Sequence, residues 1–455
     1  METAAFTSPF EAPCGWNAPG AEWGAHMKVI DLRNDPAGCR EDQFDRRYTP
    51  SPALASSVAG ILAEVRRDGD AALQRFSQQF DHVDLAATGL RVTEAEIRSA
   101  MGHLDPQVKE AFEAAGTNVR EFALRSRRTD WLAENLQGAT VGERFDPFQR
   151  VGIYIPAGTA PLVSSAIMNV CLATAMEVPE IVVTSPPNRE GMIDGNLLSA
   201  ISLSGATEIY KVGGAQAIAA LAFGTQSIRR VLKVFGPGNA YVTEAKRQVF
   251  GYVSVDLLPG PSEILVLADH TANVEFVAAD LLAQAEHGPG SVICLVTTDT
   301  ALAAKLPGVI ERQLGRLQRQ TYLQQVLKEN ASVVIARDPI QAIQVANAFA
   351  PEHLSLVMEN ASELAARIVT AGAIFLGHFS PVVAGDFMAG PSHTLPTGGA
   401  AKSFGGLTVD QFQRRTSLVC YDRAALERSA ETLRRFSEVE QLDAHGRSVT
   451  IRFET

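Results

Sequence analysis

The sequence predicts an α/β protein: two Rossmann-like units with parallel sheets but incomplete fingerprints, a helical N-terminal region and a separate C-terminal tail. Three observations carry this reading. Between residues 151 and 249, short apolar strands alternate with helices of about ten residues, the pattern of βαβ crossovers. A second block of the same texture runs from residue 263 to 377. In the first block, the glycine clusters Gly213-Gly214 and Gly236-Pro237-Gly238-Asn239 fall at strand ends, before helix starts. Those are the places where a doubly wound sheet receives phosphate-bearing ligands.

Taken in order, residues 1–27 are expected to form an extension. They are rich in Ala, Gly and Pro, with Trp16 and Trp23 as candidate anchors, and Met27 opens Met-Lys-Val-Ile-Asp-Leu, which reads as a first strand. Residues 28–150 are expected to be mostly helical. Residues 52–67 carry apolar positions at helical spacing and stop at Asp68-Gly69-Asp70. A second helix covers residues 70–80, Thr93 and Glu96 open a third with a capping box, and Pro106 takes the first position of a fourth. Their charges read as solvated faces.

The first alternating block predicts strands at 151–155, 180–184, 208–212 and 230–235, with helices at 164–176, 195–204, 215–223 and 240–249. Gly236-Pro237-Gly238-Asn239-Ala240-Tyr241 lacks the third glycine of a dinucleotide fingerprint, so that signal is weak. The second block predicts strands at 264–268, 292–297, 332–336, 354–357 and 373–376. Its helices are expected at 274–287, 301–327, 340–349 and 361–371, the first with Asn273 as cap and Gly288-Pro289 as stop. A polar Gly/Pro loop follows over 386–406, then helices at 423–436 and 438–445 and a last strand at 449–453. The expected units are 28–150 with 264–398, then 151–263, with 399–455 as the tail.

The 455 residues are 46% hydrophobic and 20% charged, and the net charge is −11. With a pI near 5.4, this argues against a binder of nucleic-acid backbone. No apolar run of about eighteen residues predicts a membrane span. Cys14, Cys39, Cys171, Cys294 and Cys420 form no C-x-x-C pair, which suits a reducing compartment. Residues 1–26 lack a secretory signal pattern. A cytoplasmic protein without nucleic-acid or membrane partners is expected.

Few residues announce chemistry by themselves. Gln284 and His287 sit three apart at a helix end, so an amide oxygen and an imidazole leave one face. They are two arms of a metal site, or a solvated Gln beside a His that faces the helix dipole. Glu352-His353 begins a strand, where adjacent side chains point to different faces. It offers two acid–base groups to one substrate, or a surface pair. Asp386 reads as an Asx-turn residue. His393, Glu440 and His445 carry no local signal.

Longer stretches resemble histidinol dehydrogenase. They are Tyr154-Ile-Pro, Gly213-Gly-Ala-Gln216, Phe235-Gly-Pro-Gly-Asn239, Gly260-Pro-Ser-Glu263, Gln284-Ala-Glu-His-Gly-Pro289, Pro351-Glu-His353, Ala384-Gly-Asp386, Gly390-Pro-Ser-His393 and Leu442-Asp-Ala-His445. The resemblance spans residue 28 to the C-terminus. It implies a zinc-dependent homodimer that oxidises L-histidinol through the aldehyde to L-histidine with two NAD. It implies zinc held by Gln284, His287, Asp386 and His445, with Glu352 and His353 as the acid–base pair. His353 would take the alcohol proton and Glu352 would activate water for the aldehyde step. Ser262, His393 and Glu440 would contact substrate together with His353 and the metal ligands, and Tyr154, Gln216 and Asn239 would line the NAD site. The C-terminal tail would be exchanged between subunits, so that Glu440 and His445 complete the partner's site. The sequence departs from the family at Ala157-Gly158, where two glycines are usual. The competing readings are a related zinc alcohol dehydrogenase for another small alcohol, and a non-catalytic metal- or nucleotide-binding protein on the same fold.

Overall fold

The computed structural model describes residues 22–23, 27–34, 44, 46–47, 49–157 and 161–454. Cys14, Trp16, His26, Cys39 and Gly158 lie outside the described residues.

The chain begins with β1 (Glu22–Trp23) and β2 (Met27–Asp31). Five helices follow: α1 (Pro52–Asp68), α2 (Asp70–Phe76), α3 (Leu85–Thr88), α4 (Glu94–His103) and α5 (Pro106–Ser126). The expected capping box forms at Thr93 and Glu96, and Pro106 stands at the first turn of α5. Strands β3 (Trp131–Glu134) and β4 (Thr140–Pro147) come next.

The first alternating block contains β5 (Arg150–Tyr154), α6 (Val163–Ala175), β6 (Glu180–Ser185), α7 (Gly195–Ser204), β7 (Glu208–Lys211), α8 (Gly214–Phe223), β8 (Lys233–Phe235), α9 (Ala240–Val249) and β9 (Ser254–Val255). Its five parallel strands lie in the order β7-β6-β5-β8-β9. One face packs on α1, α2, α8 and α9, and the other on α5, α6 and α7. The helical N-terminal region therefore covers this half.

The second block contains β10 (Glu263–Ala268), α10 (Val274–Ala285), β11 (Val292–Thr297), α11 (Thr300–Leu314), α12 (Gln320–Glu329), β12 (Ala331–Ile335), α13 (Pro339–Phe349), β13 (His353–Val357), α14 (Ala361–Ala365) and β14 (Ala373–Leu376). The sheet order is β1-β2-β12-β11-β10-β13-β14, parallel throughout except for β1. Cys294 is buried in this core and Cys171 in the other, as their apolar surroundings predict.

The chain closes with α15 (Val382–Phe387), β15 (Gln413–Cys420), α16 (Arg423–Val439) and α17 (Asp443–Thr450). Leu407, Val409 and Phe412 join the core of the five-stranded half before β15. Beyond β15, α16 and α17 pack chiefly on each other, and Phe436 (62% exposed) and Val439 (82%) face outward.

Five expectations need correction. The region 28–150 is not helical to its end: β15, β4 and β3 form an antiparallel sheet in that order. Neither face of β3 is buried, so no period-2 pattern marks it. The helix expected over 301–327 is two helices, interrupted between Leu314 and Gln320. The strand expected at 449–453 is the end of α17 and a following short 3-10 turn. A helix expected over 438–445 is broken at Gln441, whose φ is +57°, so Glu440 ends α16 and His445 belongs to α17. Asp386 lies in a helical turn of α15 rather than in an Asx-turn.

Candidate active site

Glu352 and His353 sit where β13 begins. Parallel pairing sets His353 opposite Ile264 of β10, so the preceding Glu263 backbone can reach both side chains. The Glu263 N–H donates to Glu352 Oε2 at 2.8 Å, and the Glu263 carbonyl lies 3.0 Å from His353 Nδ1. A carbonyl only accepts, so Nδ1 carries the proton and Nε2 presents its lone pair. That lone pair points toward Asp386, with Nε2 3.7 Å from Oδ1. Both members of the pair are buried. Burial holds the His353 pKa below its ordinary value, against the pull of Asp386 and the Glu263 carbonyl. Burial also pushes Glu352 well above the carboxylate range, assisted by the charges of Glu263 and Asp386. Ser262 and the Glu263 N–H donate to Glu352 and oppose that rise.

Glu263 is a residue that pattern reading missed. It is buried in an ion pair with Arg46, which donates Nε to Oε1 at 2.9 Å and Nη2 to Oε2 at 3.1 Å. The Arg46 guanidinium also lies 3.5 Å from the centre of the Phe349 ring. Its only sequence signal was a charged residue at the start of an apolar strand. On the far side, Gly372 needs to be glycine: a Cβ there would lie 2.6 Å from the Glu352 carbonyl oxygen.

Helix α10 carries Gln284, and His287 leaves the turn just beyond the helix end. Asn273 caps its start, as expected. Gln284 is 2% exposed, and neither atom of its side-chain amide has a hydrogen-bond partner. His287 Nδ1 lies 3.3 Å from the Ala283 carbonyl, which engages that ring nitrogen. Electrostatic interaction of His287 with both His353 and His393 places it in the same cluster. His393 donates Nδ1–H to the Asp386 carbonyl at 2.9 Å, and its Nε2 meets the Ser165 hydroxyl at 3.0 Å. Ser165, on α6, was not foreseen; it ties this cluster to the five-stranded half.

Among the described residues, no group of three His, Cys, Asp or Glu side chains is placed to hold a metal ion. The donor types present nonetheless suit zinc. The buried, unpartnered Gln284 amide is the kind of orphan that an ion satisfies, and His287 and Asp386 offer an imidazole and a carboxylate. Glu440 and His445 are not in the cluster. Both are exposed on the tail, and neither shares a hydrogen bond or ion pair with it among the described residues.

The three residues expected at the cofactor lie at strand ends of the five-stranded half. Tyr154 ends β5; it is buried, and its hydroxyl accepts from the Gly214 N–H at 3.3 Å. Burial raises its pKa to about 12, with a smaller contribution from the charge of Asp81. Gln216 is buried beside Gly214. Asn239 caps α9, accepting from Tyr241 and Val242 N–H. Beneath this turn, Gly236 has φ +107°, and a Cβ would fall 2.0 Å from the Tyr154 carbonyl oxygen. A buried Lys246–Asp256 ion pair clamps Gly236, with Nζ donating to its carbonyl and Oδ2 accepting from its N–H.

Comparison with known proteins gives the family. A family model described as Histidinol dehydrogenase matches residues 45–453. The histidinol dehydrogenase of Geobacillus kaustophilus (strain HTA426) is 43% identical over 398 residues, 88% of this chain and 93% of that protein. That of Heliobacterium mobile is 41% identical over 426 residues, 94% of this chain and all of that protein (100%). The crystal structure of histidinol dehydrogenase from Elizabethkingia anophelis superposes with a TM-score of 0.89 at 33% identity, covering 94% of this chain and 98% of that one. The α/β fold with two parallel sheets is thus shared, and the chain belongs to the histidinol dehydrogenase family of oxidoreductases.

Proposed function

We propose that the protein is a zinc-dependent histidinol dehydrogenase. It converts L-histidinol, water and two NAD into L-histidine, two NADH and protons, by way of the aldehyde. The observation that supports this best is the buried Glu352–His353 pair, with His353 Nδ1 on the Glu263 carbonyl and Nε2 3.7 Å from Asp386 Oδ1. When bound, zinc supplies a Lewis-acid anchor for the substrate's nitrogens and NAD supplies the hydride acceptor. Gln284, His287 and Asp386 would hold that zinc, with His445 as the fourth donor.

The chain's own residues divide the proton work. Neutral His353, its Nδ1–H held by the Glu263 carbonyl, takes the alcohol proton at Nε2. Burial that depresses its pKa keeps it unprotonated and ready. Glu352 takes a proton from water in the aldehyde step; its raised pKa makes the ionised form a stronger base. Ser262 donates to Glu352 and stands at the substrate edge. Both nitrogens of His393 are engaged by Asp386 and Ser165, so a substrate contact from His393 replaces the Ser165 hydroxyl. Tyr154, Gln216 and Asn239 line the cofactor cradle.

Glu440 and His445 complete the site of a second subunit in this proposal. The exposed Phe436 and Val439 on α16 favour such an exchanged tail over residues 399–455, since large unpartnered apolar faces mark interfaces. A biosynthetic role places the enzyme in the cytoplasm; among the described residues, no helix is long and apolar enough to cross a membrane.

The deciding assay counts NADH formed per histidinol, before and after chelation. Two NADH per substrate, abolished by the chelator and restored by zinc, is the expected result. Turnover of another alcohol but not of histidinol would reject the substrate assignment. Mixed dimers of His445→Ala and His287→Ala chains should regain part of the activity; no recovery after subunit exchange would reject the shared tail.

A further inference from the structure

The turn that presents Glu352 and His353 starts in an uncommon conformation. Helix α13 ends at Phe349, and Ala350 follows with φ +51°, in the left-handed region that non-glycine residues seldom adopt. Pro351 then leads straight into the pair. Such backbone persists where its surroundings hold it. Arg46, buried between β2 and α1, is part of what holds it. Its guanidinium donates Nη2 to the Phe349 carbonyl at 2.9 Å and Nη1 to the Phe44 carbonyl at 2.7 Å. It also stands over the Phe349 ring.

The same guanidinium takes both oxygens of the Glu263 carboxylate. Glu263 is the residue whose backbone N–H and carbonyl engage Glu352 and His353. Its Oε1 accepts in addition from the Gly398 N–H at 3.0 Å, so the polar loop beyond His393 ends on the same group. One side chain thus joins the two segments between which the pair's hydrogen bonds run. Net stability alone is a weak reason to bury such a pair, because desolvation offsets most of the attraction. A planar fork that grips a carboxylate and a carbonyl at once does fix geometry.

We propose that Arg46 is a positioning residue of the acid–base pair: by tying the Phe349 carbonyl to the Glu263 carboxylate, it fixes Glu352 and His353 against the Glu263 backbone. This rests on the reading of Glu352 and His353 as the proton-transfer groups.

The test uses the full-length, zinc-loaded protein, with histidinol and its aldehyde as separate substrates. Arg46→Lys keeps the charge but loses the fork. Its kcat should fall by about 10–100-fold with both substrates, as small displacements of reacting groups do. KM for histidinol and NAD, and the zinc bound, should stay within about threefold of the parent. Arg46→Met leaves the Glu263 carboxylate buried without its cation and can prevent folding. The double variant Arg46→Met/Glu263→Gln removes both charges and keeps an acceptor for Gly398, so it folds without the tie and should show the same loss in kcat. A lower melting temperature with parent-like kcat, in Arg46→Lys or in the double variant, would overturn the proposal, because the ion pair would then serve stability only. Equal losses in kcat and in zinc or NAD binding would overturn it too, since the effect would not be confined to the pair. His353→Asn with histidinol and Glu352→Gln with the aldehyde are the controls. If these keep parent rates, the acid–base reading fails and the positioning role falls with it; if they are slow while the Arg46 variants are not, the positioning role alone fails.

Discussion

The two α/β halves have the same strand order but use opposite edges. In β7-β6-β5-β8-β9 and in β12-β11-β10-β13-β14 the chain moves outward twice, then returns beside its first strand. Each half therefore has a switch point, β5/β8 in one and β10/β13 in the other. Open α/β sheets take ligands at the carboxyl ends of strands at such points. In the five-stranded half the proposed cofactor residues follow this rule: Tyr154 ends β5, Gly213 follows β7 and Gly236 follows β8. The seven-stranded half inverts it, with Ser262 ahead of β10 and Glu352-His353 at the amino end of β13. The His393–Ser165 hydrogen bond joins these two edges. A cofactor cradle needs close backbone approach, which glycine turns after strands provide. Acid–base chemistry needs side chains held in low dielectric, which the buried strand starts and the Arg46–Glu263 pair provide.

The sharpest test of that division removes a side chain from one half and crowds the backbone of the other. His353→Asn should lower the rate of NADH formation by roughly 10²–10⁴-fold while leaving the fold and NAD binding intact. A rate within tenfold of the parent would remove His353 from the chemistry. Gly236→Ala should act in the opposite way. A non-glycine residue at φ +107° is strained, and its Cβ would overlap the Tyr154 carbonyl oxygen. Backbone strain of this kind costs on the order of 1–3 kcal/mol. The expected result is a lower melting temperature and weaker NAD binding, measured by calorimetry, with histidinol binding little changed. Equal NAD affinity in parent and variant would show that this turn does not shape the cradle.

Gly372→Ala brings the crowding to the catalytic half. Its Cβ would stand 2.6 Å from the Glu352 carbonyl oxygen, so the start of β13 must shift. A displacement of about 1 Å can cost on the order of 10²-fold in rate. The loss should fall on turnover, not on NAD affinity. A parallel loss of NAD affinity would mean that the two edges are not separable.

Much of this was legible in sequence. Alternation of strands and helices, the Thr93–Glu96 box, the Asn273 cap and the glycine turns are local signals, and each formed as read. His287, Glu352, His353, Asp386 and His393 were named from motifs and interact with one another in the fold. What local pattern could not give was anything defined by distant partners. Arg46 and Glu263 are 217 residues apart, and neither carries a periodic signal. Strands β3 and β15 show mostly exposed residues, so no hydrophobic period distinguishes them from loop. The inverted edge is a property of the sheet, invisible until β13 is seen beside β10.

The smallest expected effect probes the cofactor half by titration. Asp81 stands near Tyr154, and burial raises its pKa from 3.8 to about 6, against the pull of His82 and the Ser77 hydroxyl. Its Oδ2 is buried without a partner. The folded state thus binds the proton more tightly than the unfolded chain does. The cost of ionising Asp81 is absent below pH 3.8, grows as pH rises toward 6, and is fully present above that. Asp81→Asn removes the charge and keeps a polar partner for Ser77. Scaled down for partial exposure, the variant should gain about 1–2 kcal/mol over the parent at pH 8, and little at pH 4. Urea unfolding of both proteins at the two pH values measures the difference. A gain that is the same at both would show that the carboxylate is not held in the folded state at a raised pKa. A gain confined to pH 8 would mean that the cradle tolerates a charge at a cost, so that even the backbone-built half keeps one strained side chain beside Tyr154.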